Sequence, residues 1–291
     1  MAIDPKQLKD TLSFAGARWK TSVEGEPRRH ALGYVPDITE HSLQARELIA
    51  FVNNKHFLAM AAVAGPLPYP PQFDWRKAAA HGNLPNGNYV TPIRDQGQCG
   101  SCVSFGSVAA LESAVLIDRK TPDKDEDLSE AFLFFCHHGV SGGACSTGWN
   151  TSQALTSLQG TGTVDEKCFP YTDHQQTCNP CSDWQKRLTK IKAWQSITSA
   201  ADMKSWIANK GPLITCFNVY EDFDNYTSGI YHHVSGALRG GHCVCCVGYD
   251  DKSRAWICKN SWGTGWGEHG FFHIAYGQCG IDSTMWGLEF A

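Results

Sequence analysis

The chain is expected to fold as an α+β protein of two lobes with a cleft between them, and three features of its 291 residues lead there. Helical patterns crowd the first half, short β-rich runs punctuated by Gly and Asp crowd the second, and no internal repeat suggests a solenoid. Thirteen cysteines, all between Cys99 and Cys279, set residues 1–66 apart as a stretch of different character.

In that first stretch, Gly33-Tyr34-Val35-Pro36-Asp37 reads as extended, because Pro36 keeps its predecessor out of the helical region. From Thr39 or Glu40 to about Val63 the pattern turns helical, with Thr39 as N-cap and Leu48, Phe51, Val52, Leu58 and Met60 as its apolar positions. Gly65-Pro66-Leu67-Pro68-Tyr69-Pro70-Pro71 then breaks regular structure and reads as a linker. The next helix runs from near Ser101 to about Ile117, apolar nearly all round and therefore expected to be buried. Ser129 is the expected N-cap of a helix over Glu130 to Phe135; others are expected over Thr151–Leu158 and Ser199–Asn209. After Gly211-Pro212, strands are expected over Leu213–Val219, Cys243–Tyr249, Ala255–Lys259 and Gly270–Ile274.

A net charge of −4 without a Lys/Arg block argues against a nucleic-acid partner, and no run approaches eighteen apolar residues, so no membrane span is expected. An odd cysteine count leaves at least one thiol unpaired in a monomer. One free cysteine among disulfides suits a thiol enzyme outside the cytosol. Residues 1–20 lack the basic start and apolar stretch of a secretory signal, and the expectation is that one has been removed.

The most informative string is Gln96-Gly97-Gln98-Cys99-Gly100-Ser101-Cys102. Cys102 falls on the first turn of the long buried helix, where free backbone N–H groups and the helix dipole favour a thiolate. Downstream come Gly240-Gly241-His242-Cys243 and Lys259-Asn260-Ser261-Trp262; His242 lies 140 residues after Cys102, and Asn260 lies 158 after it. A Cys–His pair with an Asn on the second ring nitrogen is a nucleophile, base and orienter. Cys99-Gly100-Ser101-Cys102 is also a C-x-x-C, which by itself admits a redox site or, with Cys178-Asn179-Pro180-Cys181, a zinc site. Those readings use cysteines alone and leave Gln96, His242, Asn260 and Trp262 unexplained. A catalytically silent peptide-binding module is the third alternative.

From Phe73-Asp74-Trp75-Arg76 to its C-terminus the chain resembles the papain-like cysteine peptidases. The resemblance implies a helical first lobe and a β-barrel-like second lobe. It makes Cys102 the nucleophile, His242 the base, Asn260 the residue that orients it and Gln96 an oxyanion donor beside the Cys102 amide, with Trp262 covering the Asn260–His242 bond. Gly148 matches a glycine whose backbone pairs with substrate, and Trp149 follows as a cleft wall. Trp149, Cys216, Gly240, Gly241 and Thr284 match the second subsite; none is charged, so apolar side chains are expected there in preference to arginine. The resemblance implies disulfides Cys99–Cys145 and Cys136–Cys178; Cys168 and Cys181 are extra and lie close around Pro170, so they are expected to pair, with Cys279 a free thiol.

The resemblance also implies an endopeptidase that uses no metal or organic cofactor and acts as a monomer on peptides, in a secreted, periplasmic or lysosome-like compartment. Residues 1–66 would be a pro-segment held in the cleft of the peptidase domain, 67–291, and released as Glu24, Glu26, Asp37, Glu40 and Glu47 protonate. Three positions depart from the pattern: Val103 replaces the usual aromatic after the nucleophile, Cys145-Ser146-Thr147-Gly148 replaces Cys-Asn-Gly-Gly, and Ala78 to Gly87 forms a longer loop. The pairs His137-His138 and His232-His233 read as solvated loop residues, since Cys145 to Pro170 leaves no room for an exopeptidase loop.

Overall fold

The computed structural model describes residues 3–22, 29–36, 42, 45–52, 69–79, 83–137 and 144–290. Helix α1 (Pro5–Phe14) is capped by Asp4, whose carboxylate accepts from Lys6 N–H, and buries Leu8 and Leu12. A short strand β1 (Trp19–Thr21) follows, and residues 45–52 form α2. The first lobe is built on α3 (Cys102–Arg119), packed with α4 (Glu130–His137) and α5 (Thr151–Gly160). Fourteen of the eighteen α3 residues are buried, as its all-round apolar sequence requires. Ser129 Oγ accepts from Phe132 N–H and Asn150 Oδ1 from Gln153 N–H, so both following helices start on a polar cap.

The second lobe is a sheet of β2 (Gln72–Asp74), β3 (Ala193–Ile197), β4 (Leu213–Tyr220), β5 (Tyr226–Tyr231), β6 (Leu238–Asp250), β7 (Ala255–Lys259), β8 (Phe271–Ala275) and β9 (Met285–Glu289). Among the described residues the order is β1-β5-β8-β7-β6-β4-β9-β3, with β2 on β6, and α6 (Ala200–Asn209) packs on β6 and β4. β4, β6 and β7 are buried almost throughout, which is why they read as apolar runs without alternation.

The lobes meet where α3 lies on β6. Gly106 makes this approach possible: a Cβ there would sit 3.1 Å from the backbone of Val244. Beneath this seam Glu112 of α3 accepts from the Thr91 hydroxyl and from Leu128 N–H at 3.0 Å, while Lys259 Nζ donates to Thr91 at 2.8 Å. Burial pushes the Glu112 carboxyl up, to about 7. The helix carrying Cys102 and the strand preceding Asn260 are thus tied through one buried polar group.

Disulfides join Cys99–Cys145, Cys136–Cys178 and Cys168–Cys181, and Cys279 is a buried free thiol. Two expectations are corrected. Leu48, Phe51 and Val52 of α2 are exposed, by 65%, 52% and 54%; the inward face is instead Arg46 and Ala50, one turn apart. A buried guanidinium therefore anchors the helix, where sequence patterning sought an apolar stripe. Nor is His232-His233 a solvated pair: His233 stacks on Tyr220 with centroids 3.8 Å apart and meets Asp222 at 3.2 Å, and the His232 carbonyl accepts from Trp19 Nε1. The rest of the 39–63 helix, the linker as far as Pro68 and His138 lie outside the described residues.

Candidate active site

Cys102 opens α3 after Ser101, and it is fully buried. His242 stands in β6 opposite Phe217 of β4, and Asn260 directly follows β7. The β6–β7 register pairs Cys245 with Lys259, so His242 and Asn260 fall diagonally across the two strands. His242 Nε2 and Asn260 Oδ1 are 2.8 Å apart, which fixes Nε2 as the protonated nitrogen and leaves Nδ1 without a hydrogen-bond partner. Trp262 lies over this bond, its ring 4.8 Å from that of His242. Gln96 is held by its backbone to Ser261 at 2.9 Å, and its Oε1 accepts from Ser261 Oγ at 2.7 Å. Gln96 Nε2 donates to the Cys99 carbonyl at 2.9 Å and to the Ala31 carbonyl at 3.1 Å.

Residues 29–36 lie across these groups, with isolated β-bridges at Tyr34. Gln98 Nε2 donates to the Arg29 carbonyl at 2.8 Å, and Arg239 donates to that of His30 at 3.1 Å. Beyond them Trp149 N–H donates to Gly33 O at 2.7 Å, Tyr34 N–H to Gly241 O at 3.1 Å and Val35 N–H to Trp149 O at 2.9 Å. Tyr34 bridges Trp149 in the parallel sense and Gly241 in the antiparallel sense. The pairing partner of this segment is thus Trp149 rather than Gly148. The role of Gly148 is to make room: its φ is +77°, and a Cβ there would meet Gly33 O at 2.0 Å.

Covered in this way, Cys102 and His242 are desolvated. Burial pushes the Cys102 thiol up to about 12, against donors from Cys243, Gly33 and Val103 that act to lower it. Burial likewise pushes His242 down to about 3, against the Asn260 bond, with His30 and Arg239 adding to the lowering. Burial under this segment thus opposes the thiolate that the helix N-terminus would favour at Cys102, and opposes an imidazolium at His242.

The second-subsite positions converge only in part. Gly240 faces Leu32, Gly241 bonds Tyr34, and Trp149 is buried against Phe134. Thr284 is half-buried. Cys216 is fully buried, with its carbonyl accepting from Arg46 at 2.8 Å. Arg46 also donates to Tyr34 Oη at 3.0 Å and stands 5.7 Å from the ring centre of Trp286. Glu47 beside it accepts from Asn218 Nδ2 and Tyr220 Oη. The inward contacts of Arg46 and Glu47 are not legible in the sequence, because charged residues on a helix normally signal its solvated face. Asp282, the nearest acid in sequence to Thr284, accepts from Trp256 Nε1 and Gly277 N–H.

Comparison with known proteins agrees with this geometry. A sequence profile described as "Papain family cysteine protease" matches residues 69–287. Cathepsin B-like CP3 of Giardia intestinalis is 33% identical over 288 residues, covering 93% of this chain and 89% of that one. Pro-cathepsin H of Mus musculus is 36% identical over 285 residues, covering 93% and 81%. Among solved structures, proCathepsin B S9 from Trypanosoma congolense superposes with a TM-score of 0.75 at 20% identity, covering 98% of both chains. Xylellain, a cysteine protease from Xylella fastidiosa, superposes with 0.66 at 21% identity, covering 93% of this chain and all of that one; at such identities the likeness is one of fold. By its fold, by the profile match over most of its length and by its curated relatives, this chain belongs to the papain family of cysteine proteases.

Proposed function

We propose that this hydrolase is the precursor of a cysteine endopeptidase, with residues 1–66 as pro-segment and 67–291 as the peptidase domain. The observation that carries this reading is the Ala31 carbonyl on Gln96 Nε2, part of a segment that fills the cleft from His30 to Val35. Its parallel bridge to Trp149 fits a segment running opposite to a productive substrate. A peptide held this way presents no bond to Cys102 in the orientation that reacts.

In the opened enzyme Cys102 Sγ attacks the scissile carbonyl and forms a C–S bond. The oxyanion is received by Gln96 Nε2 and the Cys102 amide. His242, having taken the thiol proton, passes it to the leaving amine, then removes a proton from the water that hydrolyses the thioester. Asn260 keeps the imidazole turned for both steps, and Trp262 keeps water from their bond. Each step uses side chains of this chain and needs no cofactor or metal. The three disulfides suit a secreted, periplasmic or lysosome-like compartment. Peptide or protein substrates are the partners, taken by a monomer. No helix among the described residues is long and apolar enough to cross a membrane.

A permanent structural arm is the second reading. It draws on β1, which extends the sheet at β5, and on buried Arg46. One experiment decides between them: hydrolysis of a fluorogenic dipeptide by the full chain and by a chain starting near Leu67 at neutral pH. The pro-segment reading expects the shorter chain to be much faster and to be inhibited by added segment. Equal rates without inhibition would leave the arm.

A further inference from the structure

The segment in the cleft runs from His30, beside Trp262, to Tyr34, beside Trp149. If the acyl part of a substrate lies along Trp149, as the second-subsite positions imply, the leaving amine and the residues after it lie along Trp262. That side is now held by two basic residues of the chain itself. His30 stacks on Trp262 with centroids 5.0 Å apart and planes 4° from parallel, and its Nε2 is 3.7 Å from Asp95. Arg29 stands 3.7 Å from Glu221.

Beyond His30 the cleft continues as a cavity of about 590 Å³, bordered by Asp95, Asp224, Thr264, Trp262 and Trp266. Asp95, Glu221 and Asp224 supply three carboxylates to this side against one guanidinium, Arg239, which is paired with Asp224. Two aromatic faces offer a surface that a cation prefers to an anion. The indole N–H groups of Trp262 and Trp266 are buried and have no hydrogen-bond partner among the described residues.

We propose that this side of the cleft selects substrates with a basic residue immediately after the scissile bond, Arg29 and His30 being the chain's own occupants of that place. The inference rests on the peptidase reading. Asp95 is half exposed, so each contact is screened and the preference is several-fold rather than absolute. About 5- to 10-fold for Arg over Ala is expected, with Glu poorer than Ala.

The folded full chain, activated by limited proteolysis, is assayed on internally quenched peptides that differ only in Arg, Ala or Glu after the cleaved bond. The expected order in kcat/KM is Arg, Ala, Glu, with the Arg preference shrinking in 1 M salt. Asp95→Asn, which keeps the hydrogen bond to Gly97 N–H, should reduce the Arg-to-Ala ratio; Glu221→Gln is the second variant should the first fail to fold. Equal cleavage of the three peptides, or a preference for Glu, overturns this inference and leaves the peptidase intact. Cleavage of none overturns both.

Discussion

Both N–H groups of the Gln96 side chain are engaged, one with the Cys99 carbonyl at 2.9 Å and one with the Ala31 carbonyl at 3.1 Å. Its oxygen is taken by Ser261. On the proposed mechanism an oxyanion gains this donor by displacing residue 31, so one hydrogen bond would couple the chemistry to the position of the N-terminal segment. Replacing Gln96 by Ala should lower kcat of the activated enzyme about 100-fold while leaving KM nearly unchanged, because the donor acts on charge that develops in the transition state. A loss confined to KM would assign Gln96 to ground-state binding instead.

Cys102→Ala and His242→Ala should each abolish activity, by at least about a thousandfold, since each removes half of one proton-transferring pair. Asn260→Ala should cost about 10- to 100-fold, because the ring loses its hold at Nε2 but keeps its nitrogen. Steady-state kinetics beside near-UV circular dichroism separates lost chemistry from lost fold. A Cys102→Ala protein with undiminished turnover would falsify the assignment.

All seven free cysteines are buried, and the Cys102 thiol is raised to about 12. At pH 8 an epoxide or iodoacetamide should therefore label the untreated chain very slowly. After the segment is removed, labelling should rise by orders of magnitude at one site. Peptide mass mapping should place that adduct on Cys102 and leave Cys243, Cys245, Cys246 and Cys258 unmodified in the folded protein.

Acid should open the cleft through His242. Its value in the covered chain is about 3 against 6.5 for a free imidazole, so the open state binds more protons between those two pH values. The covered state accordingly loses stability as pH falls from 6.5 towards 3, by at most about tenfold in population per pH unit for one proton. Asp224, raised to about 6 by burial, works in the opposite direction between that pH and its ordinary value. Of the carboxylates expected from sequence to act as triggers, Glu47 alone lies among the described residues. It accepts from Asn218 and Tyr220, which tie this helix to β4. Segment release followed by fluorescence from pH 7 to 4 should accelerate on acidification, and a His242→Gln chain should show a flatter profile.

Arg46→Met keeps the aliphatic stem but deletes the donors to Tyr34 and Cys216. It should weaken the segment's hold and raise neutral-pH peptidase activity of the full chain several-fold, without altering the activated enzyme. Losing buried hydrogen bonds from a charged group costs on the order of 2 kcal/mol, shared between fold and latch. An unchanged latent activity would show that the cleft-spanning backbone bonds suffice.

The sequence by itself determined the α+β class, the buried α3 with Cys102 at its start, the helices capped at Ser129 and Ser199, and the β4, β6, β7 and β8 runs. Each is written locally, as an apolar period, a polar cap or a β-branched cluster. Because the string around Cys102 and the segments holding His242 and Asn260 are distinctive, the candidate chemistry was legible before any fold was known. Strands β1, β3, β5 and β9 were not, since residues such as Tyr226–Tyr231 alternate weakly and form a strand by pairing with distant partners. Only tertiary structure decided that Arg46 is an inward anchor and that the apolar Leu48 and Val52 face out. It alone decided that Ala31 reaches Gln96, 65 residues away. These depend on which surfaces meet across long separations in the chain, and the acceptors that satisfy a buried guanidinium or a side-chain amide are not written beside them.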